Sequence, residues 1–448
     1  MADDEKPDRY RAVPSSRIGR LGGFAKLAGG IGGGMLVEGA RRLSAGERPR
    51  LHDMALTPGN ARRLADQLAN LRGAAMKLGQ MISMDTGDML PPELADILAG
   101  LRDRANFMPP AQLDRVLKEE WGPDWRRQFR RFEPRPIAAA SIGQVHRALT
   151  RDGREIAIKV QYHGVAQSID SDVDNVATLL RVSGLLPKEL DIGPMLEAAK
   201  VQLKAEADYV REGEQLEQYA ALLEGEDGFV VPELFAELTT RRVLVMSYEA
   251  GRPIESLVDE PQEVRDTTFA RMTDLVAREL FVFGTMQTDP NFANFRFRPE
   301  TGQIVLLDFG ATQPVAPDIA AGYRAMMEAG LAGERQRALE AAVTAGFVNR
   351  AVLERHAERV ERMADIILRE MAGADRFDFG DRAFVATLRD EGMAIAKDKS
   401  SWHVPPPETV FVQRKVSGTA LLGARLKAVV DIRSILQRAL ASSQIGAG

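Results

Sequence analysis

Residues 286–312 read MQTDPNFANFRFRPETGQIVLLDFGAT. Two strand-like runs, FRFR and IVLL, flank Glu300-Thr301-Gly302, which has turn composition, so the segment predicts a strand pair folded on itself. Asp289 and Asn294 stand five residues apart before the first run, and Asp308-Phe309-Gly310 follows the second, 14 residues after Asn294. Singly, these residues mean little: Asp308 could be a strand-end turn residue and Asn294 a loop amide. Together they offer oxygen ligands suited to a hard divalent cation, with a separate carboxylate free to take a proton.

Further groups lie upstream. Ile156-Ala157-Ile158-Lys159 ends an alternating, β-branched run, and an acid-rich helical segment, AEADYVREGE (205–214), lies between that lysine and Asp289. A strand lysine, an acidic helix to partner it, an Asp-x4-Asn loop and a DFG triplet occur here in the order used by phosphoryl-transfer enzymes of the protein-kinase type. In that chemistry the Lys159 ammonium meets the α/β-phosphates of ATP. Asp308 and Asn294 hold Mg²⁺, and Asp289 accepts a hydroxyl proton or orients a water.

The departures are equally legible. A glycine-rich phosphate loop is replaced by Ala138-Ala139-Ala140-Ser141-Ile142-Gly143. Alanine disfavours positive φ, so this loop is expected to be stiffer and to hold phosphates differently. Gln287-Thr288 stands where His-Arg usually precedes the catalytic aspartate, and no Ala-Pro-Glu segment follows DFG. An activation segment for docking peptides is therefore expected to be missing.

Composition bounds the rest. The chain has 448 residues, 59 basic and 64 acidic, a net charge of −5 and no cysteine. Cysteine chemistry of every kind is excluded. The mild acidity argues against nucleic-acid partners, and the scattered histidines (His52, His146, His163, His356, His403) lack zinc-site spacing. Walker-type and dinucleotide-binding glycine motifs are absent.

Four acids among the first ten residues do not suit a signal or transit peptide, which predicts a cytoplasmic protein. From Arg9 to Arg50 there are nine Lys/Arg against two acids, around the glycine-rich apolar run from Leu27 to Val37. That run is about half the ~20 residues that span a bilayer. It reads either as a segment docking on an anionic membrane surface or on a second copy of the chain, through Gly29/Gly33 and Gly30/Gly34, or as a flexible arm.

The pattern is helical from about residue 58 to 131. It turns to a hairpin across AAASIGQVHRAL and REIAIKVQY, to one long helix from about Gly193 to Leu223, and to further strands in FVVPELFAEL and RRVLVMSYEA. Apart from the 286–312 segment, the chain after Gly251 reads as helical. The expected class is α+β: an arm (1–50), a helical extension (51–133), a strand-rich lobe (134–250) and a helical lobe (251–448).

With these residues in hand, the chain resembles the UbiB family, the atypical kinase-like proteins of ubiquinone (coenzyme Q) biosynthesis called ADCK proteins in animals, from about Arg17 to Leu426. Lys77-Leu78-Gly79-Gln80 is similar to its KxGQ signature, Ala138–His146 to its alanine-rich nucleotide loop, and Glu206-Ala207-Asp208 to its ExD motif. Met286–Asn294, Leu306–Thr312 and the VPPPE near the end fit as well. The resemblance implies a bilobal protein-kinase-like fold whose helical extension covers the active site, with Lys77 and Gln80 over the nucleotide, held by Glu206 and Asp208. Residues two apart on a helix diverge by about 200°, whereas Asp208 and Glu212 share a face. Glu212 is therefore the expected partner of Lys159, and Glu206 that of Lys77.

The reading that follows is an ATP- and Mg²⁺-dependent atypical kinase or ATPase. It would act at the cytoplasmic face of the inner membrane on a small or lipid-like molecule such as a quinone precursor, with ubiquinone-biosynthesis proteins as partners. A nucleotide-gated scaffold or lipid-extracting chaperone is the alternative. An ordinary protein kinase is disfavoured by the missing Ala-Pro-Glu.

Overall fold

The computed structural model describes residues 107–182, 193–373, 376–381, 383–396, 398 and 407–442. The arm (1–50), Lys77, Gln80 and the VPPPE prolines Pro405 and Pro406 lie outside the described residues. In chain order the first elements are α1 (Pro110–Trp121), β1 (Phe129–Phe132), β2 (Ala138–Ala139), β3 (Gly143–Thr150), β4 (Glu155–Gln161), α2 (Val165–Val182), α3 (Gly193–Glu206) and α4 (Tyr209–Leu222). There follow β5 (Phe229–Val230), β6 (Val243–Ser247), β7 (Arg252–Pro253), α5 (Gln262–Arg278), β8 (Thr285–Gln287), β9 (Phe295–Arg298), β10 (Gln303–Leu306) and β11 (Thr312–Pro314). The remainder is helical apart from two short paired strands: α6 (Pro317–Leu331), α7 (Arg335–Thr344), α8 (Arg350–Arg355), α9 (Ala357–Gly373), β12 (Phe377–Asp378), α10 (Ala383–Ala396), α11 (Pro407–Leu426), β13 (Val429–Val430) and α12 (Ile432–Ser442).

The chain forms two compact units. Of the described residues, one takes those up to Glu214 together with Glu233–Tyr248; the other takes Gln215–Pro232 and those from Glu249 on. Within the first unit, α1 and β1 share a core with the sheet that follows them.

The first unit is built on an antiparallel sheet in the order β1-β3-β4-β6, with β2 added beside β3. Strand alternation sends successive side chains to opposite faces. Ile156, Ile158, Val160, Val243 and Val245 point to one side and pack with Leu113, Val116, Leu117, Trp125 and Phe129 in one buried cluster. This face also receives a neutral polar chain. His146 Nδ1 donates to the Glu133 carbonyl, Gln144 Nε2 donates to His146 Nε2, and Met108 N donates to Gln144 Oε1, with contacts of 2.9, 2.9 and 2.7 Å. Those partners assign the tautomer.

Burial pushes the His146 imidazole down to about 4. A histidine held neutral in the fold but free to protonate when unfolded stabilises fully above about pH 6.5, and that stability drains as pH falls towards 4. Over this window the loss is roughly 3 kcal/mol. His146→Gln is expected to flatten this part of the pH dependence, measured by urea unfolding at pH 7 and pH 4.5. An unchanged difference between the two pH values would remove the assignment.

Two local expectations are corrected. The helical pattern predicted through residue 131 ends earlier, and Phe129–Phe132 is a strand. Aromatic residues three apart imitate helical spacing, but a bulge between Phe129 and Arg131 brings both rings to the same core. The single helix predicted over 193–223 is two helices, broken at Ala207-Asp208. Asp208 caps α4, its Oδ1 accepting from Arg211 N at 3.4 Å. The freed backbone groups are met by tertiary partners: Gln161 Nε2 donates to Ala207 O, and Tyr209 N donates to Arg241 O.

In the second unit, β9 and β10 form the predicted hairpin, with Ile304 opposite Phe297 and Leu306 opposite Phe295. β5 joins beside β10 and β7 beside β9. Val276, Leu280, Met286, Ile319, Tyr323, Val412 and Ile435 form the helical core. α11 crosses α5 closely, since a Cβ added at Gly423 would sit 2.4 Å from the Phe269 ring. Among the described residues, no helix is long and apolar enough to cross a membrane.

Candidate active site

In the first unit the alternation that buries Ile158 on one face of β4 delivers Lys159 to the other. There it meets α4: Lys159 Nζ lies 2.7 and 3.0 Å from the two Glu212 carboxylate oxygens. The side chains of the pair are 9% and 1% exposed, so a buried ammonium is held at a set place by a bidentate contact. The Tyr209 ring lies 5.1 Å from Lys159 Nζ.

The alanine stretch is not a floppy loop. Ala138 and Ala139 pair with Val145 and Gln144, and Ala140 N donates to Gly143 O at 2.9 Å. None of residues 138–143 has positive φ, so alanine costs nothing here. The glycine that closes the turn is needed for space: a Cβ on Gly143 would meet Val160 O at 2.4 Å and the Tyr209 hydroxyl at 3.0 Å. Ser141 Oγ donates to Glu206 Oε2 at 3.2 Å. Asp208 instead caps α4 and faces Arg241 at 3.4 Å. The helix break thus sends Glu206 and Asp208 to different partners.

In the second unit the hairpin register does the placing. Leu306 stands opposite Phe295, and one step on Leu307 N donates to Asn294 O at 3.0 Å. Asn294 and Asp308 are therefore delivered to the same end of one hairpin, which is the structural meaning of their 14-residue separation. Asp308 Oδ1 accepts from Gly310 N at 3.0 Å. Phe309 is buried, with its ring 5.1 Å from that of Tyr219. Asn294 Nδ2 turns towards Asp289, 3.4 Å from its carbonyl and 3.5 Å from its Oδ2, which leaves the amide oxygen as a donor for a metal.

The donor set suits Mg²⁺, which takes few protein oxygens and completes its shell with phosphates and water. Among the described residues, no group of three or more His, Asp or Glu side chains could hold a metal by itself.

Sequence reasoning did not find the support beneath this loop. Glu279, in a π-type turn (Glu279–Phe283), accepts from the Tyr219 hydroxyl at 2.7 Å and from Gln287 N at 3.1 Å. Lys415 on α11 reaches Glu279 Oε2 at 3.4 Å and Gln287 Oε1 at 3.2 Å, and its neighbour Arg414 reaches Asp289 Oδ1 at 3.5 Å. Burial and Glu279 together push the Tyr219 phenol well above its ordinary range. The available signal was an Arg-Lys pair inside the apolar run of FVQRKVSGTALL, a placement solvated residues avoid.

Residues 100–342 match the ABC1 atypical kinase-like domain. The chain belongs to the ABC1 atypical kinase-like family. Among its relatives are three atypical kinases described as mitochondrial: coq-8 of Caenorhabditis elegans (37% identical), COQ8B of Danio rerio (38%) and COQ8 of Saccharomyces cerevisiae (34%). The ABC1-family chain aligns over 94, 95 and 98% of its own length and spans 57, 69 and 88% of theirs. It is also similar to the solved structure of Rv3197 of Mycobacterium tuberculosis in complex with erythromycin (TM-score 0.58, 23% identity, 86% of this chain and 96% of that one). That likeness concerns the fold, which is α+β and kinase-like, as the sequence led one to expect.

Proposed function

We propose that the protein is a Mg²⁺-dependent, ATP-binding atypical kinase or ATPase that supports coenzyme Q biosynthesis. The observation that carries the reading is the hairpin register that brings Asn294 and Asp308 to one end, with Asp289 beside Asn294. The buried Lys159–Glu212 pair supports it independently. Family membership and the names of the relatives supply the pathway.

In this reading Asp308 and Asn294 hold the metal, which neutralises phosphate charge when bound. The ammonium of Lys159, kept in place by Glu212, meets the phosphates. Ser141 and the backbone of Ala138–Ala140 line the nucleotide. Asp289 takes the proton from the attacking hydroxyl or water as its oxygen bonds to the γ-phosphorus and the bond to the ADP oxygen breaks. Glu206 is assigned to holding Lys77 over the nucleotide, while Asp208 caps α4. The acceptor is a small or lipid-like molecule, or water, met at a membrane surface that the basic arm at 9–50 is suited to touch.

The test is nucleotide binding by thermal shift, with phosphate release, on the purified full chain with and without Mg²⁺. Stabilisation by ADP or ATP that depends on Mg²⁺, with slow release of phosphate, is expected. Binding without release would turn the reading into a nucleotide-gated scaffold, and absence of binding at millimolar nucleotide would end it.

A further inference from the structure

The loop that carries Asp289 has no cation of its own. Thr285–Asn294 reads TMQTDPNFAN, without lysine or arginine. The structure brings one from 125 residues away: Arg414 Nη2 stands 3.5 Å from Asp289 Oδ1, while Asn294 Nδ2 stands 3.5 Å from Oδ2. The two carboxylate oxygens thus face different donors, one from a distant helix and one from the loop itself.

The helix that presents Arg414 is tightly located. Lys415, the next residue, is tied to Gln287 and Glu279 at 3.2 and 3.4 Å, two residues before Asp289 on the same loop and in the turn that precedes it. Gly423 lets α11 press against Phe269 on α5. The guanidinium is buried at 1% side-chain exposure, whereas the Asp289 carboxylate keeps 16%. A buried arginine on a fixed helix, aimed at one oxygen of a partly open carboxylate, is poorly arranged to add much stability. It is well arranged to fix the orientation of that carboxylate.

We propose that Arg414 is a positioning residue for Asp289: with the Asn294 amide on the second oxygen, it holds the carboxylate in the orientation that meets the reacting hydroxyl. This rests on the reading of Asp289 as the proton acceptor. Misplacing such a group by about 1 Å costs roughly 10²-fold in rate.

The experiment compares Arg414→Met, Arg414→Lys and Asp289→Asn in the full chain, reading Mg²⁺-ATP turnover as separate kcat and KM values and ADP binding by thermal shift. Arg414→Met is expected to lower kcat by about 10- to 100-fold while KM and ADP stabilisation stay within about twofold. Arg414→Lys should recover part of kcat, because it keeps the charge but loses the planar fork. An unchanged kcat in Arg414→Met beside an inactive Asp289→Asn would overturn the inference and leave Asp289 standing. Loss of ADP binding in parallel with kcat, with no recovery in Arg414→Lys, would also overturn it and make Arg414 structural. Full turnover by Asp289→Asn would instead defeat the reading of Asp289 itself. Should Arg414→Met fail to fold, Arg414→Lys decides: a lowered kcat at unchanged KM supports the inference, and an unchanged kcat overturns it.

Discussion

Asp308→Asn is expected to abolish Mg²⁺-dependent ATP turnover, lowering kcat on the order of 10³-fold or more, while the protein stays folded. The substitution keeps shape: an amide oxygen can still accept from Gly310 N, which now donates to Asp308 Oδ1 at 3.0 Å. It removes the negative charge that makes this residue a ligand for a hard cation. A metal placed on a transferring phosphoryl group supplies several kcal/mol of charge stabilisation, and each 1.36 kcal/mol is about tenfold in rate. Phe309 remains buried against Tyr219, so the melting temperature without nucleotide should hardly move. Phosphate release and nucleotide-free melting measured on one preparation check both halves. Turnover near wild type with Mg²⁺ present would remove Asp308 from the site.

Glu279→Leu is expected to cost about 3–5 kcal/mol of stability. Glu279 and Lys415 are both almost fully buried, and the carboxylate also takes the Tyr219 hydroxyl and Gln287 N. Removing it leaves an ammonium and two donors in an apolar interior with part of their partners gone. Lys415→Met should be similarly damaging. The double variant should lose much less than the sum, since a buried pair replaced by apolar residues of like volume is often close to neutral. Urea unfolding of the four proteins, read by tryptophan fluorescence, completes the cycle. Additive losses would show that the two residues are not coupled across the 3.4 Å contact.

Much of the site was readable because it depends on short-range geometry. Asp289, Asn294 and Asp308 lie within 20 residues, and a hairpin of alternating residues around a turn at Glu300–Gly302 settles their placement locally. Glu212 is in contact with Lys159 as expected, but the unbroken helix on which that choice rested is not there, since Asp208 lies in the break and caps α4. Where local signals were ambiguous the reading slipped. Phe129 and Phe132 imitate helical spacing until a bulge is known, and the break at Ala207-Asp208 is closed by Gln161 and Arg241, which no helix period announces.

The alanine loop shows the same division. Its composition implied a backbone that does not need positive φ, and the stretch forms a short strand and a tight turn without it. Yet the reason Gly143 must be glycine is a carbonyl on the next strand, at Val160. Gln144 and His146, quoted with the loop as one motif, belong to the opposite task of tying Met108 and Glu133 to the sheet.

By itself, then, the order of residues determined the class of fold, the strand that carries Lys159, and the gathering of Asn294 and Asp308 at one end of a hairpin, because a period of 2 and a turn decide where neighbours point. Tertiary structure alone decided that Arg414 and Lys415, more than 100 residues downstream, stand against Asp289, Gln287 and Glu279. Those contacts follow from how α11 packs on the loop and on α5, and long-range packing of that kind leaves no period in the chain to read.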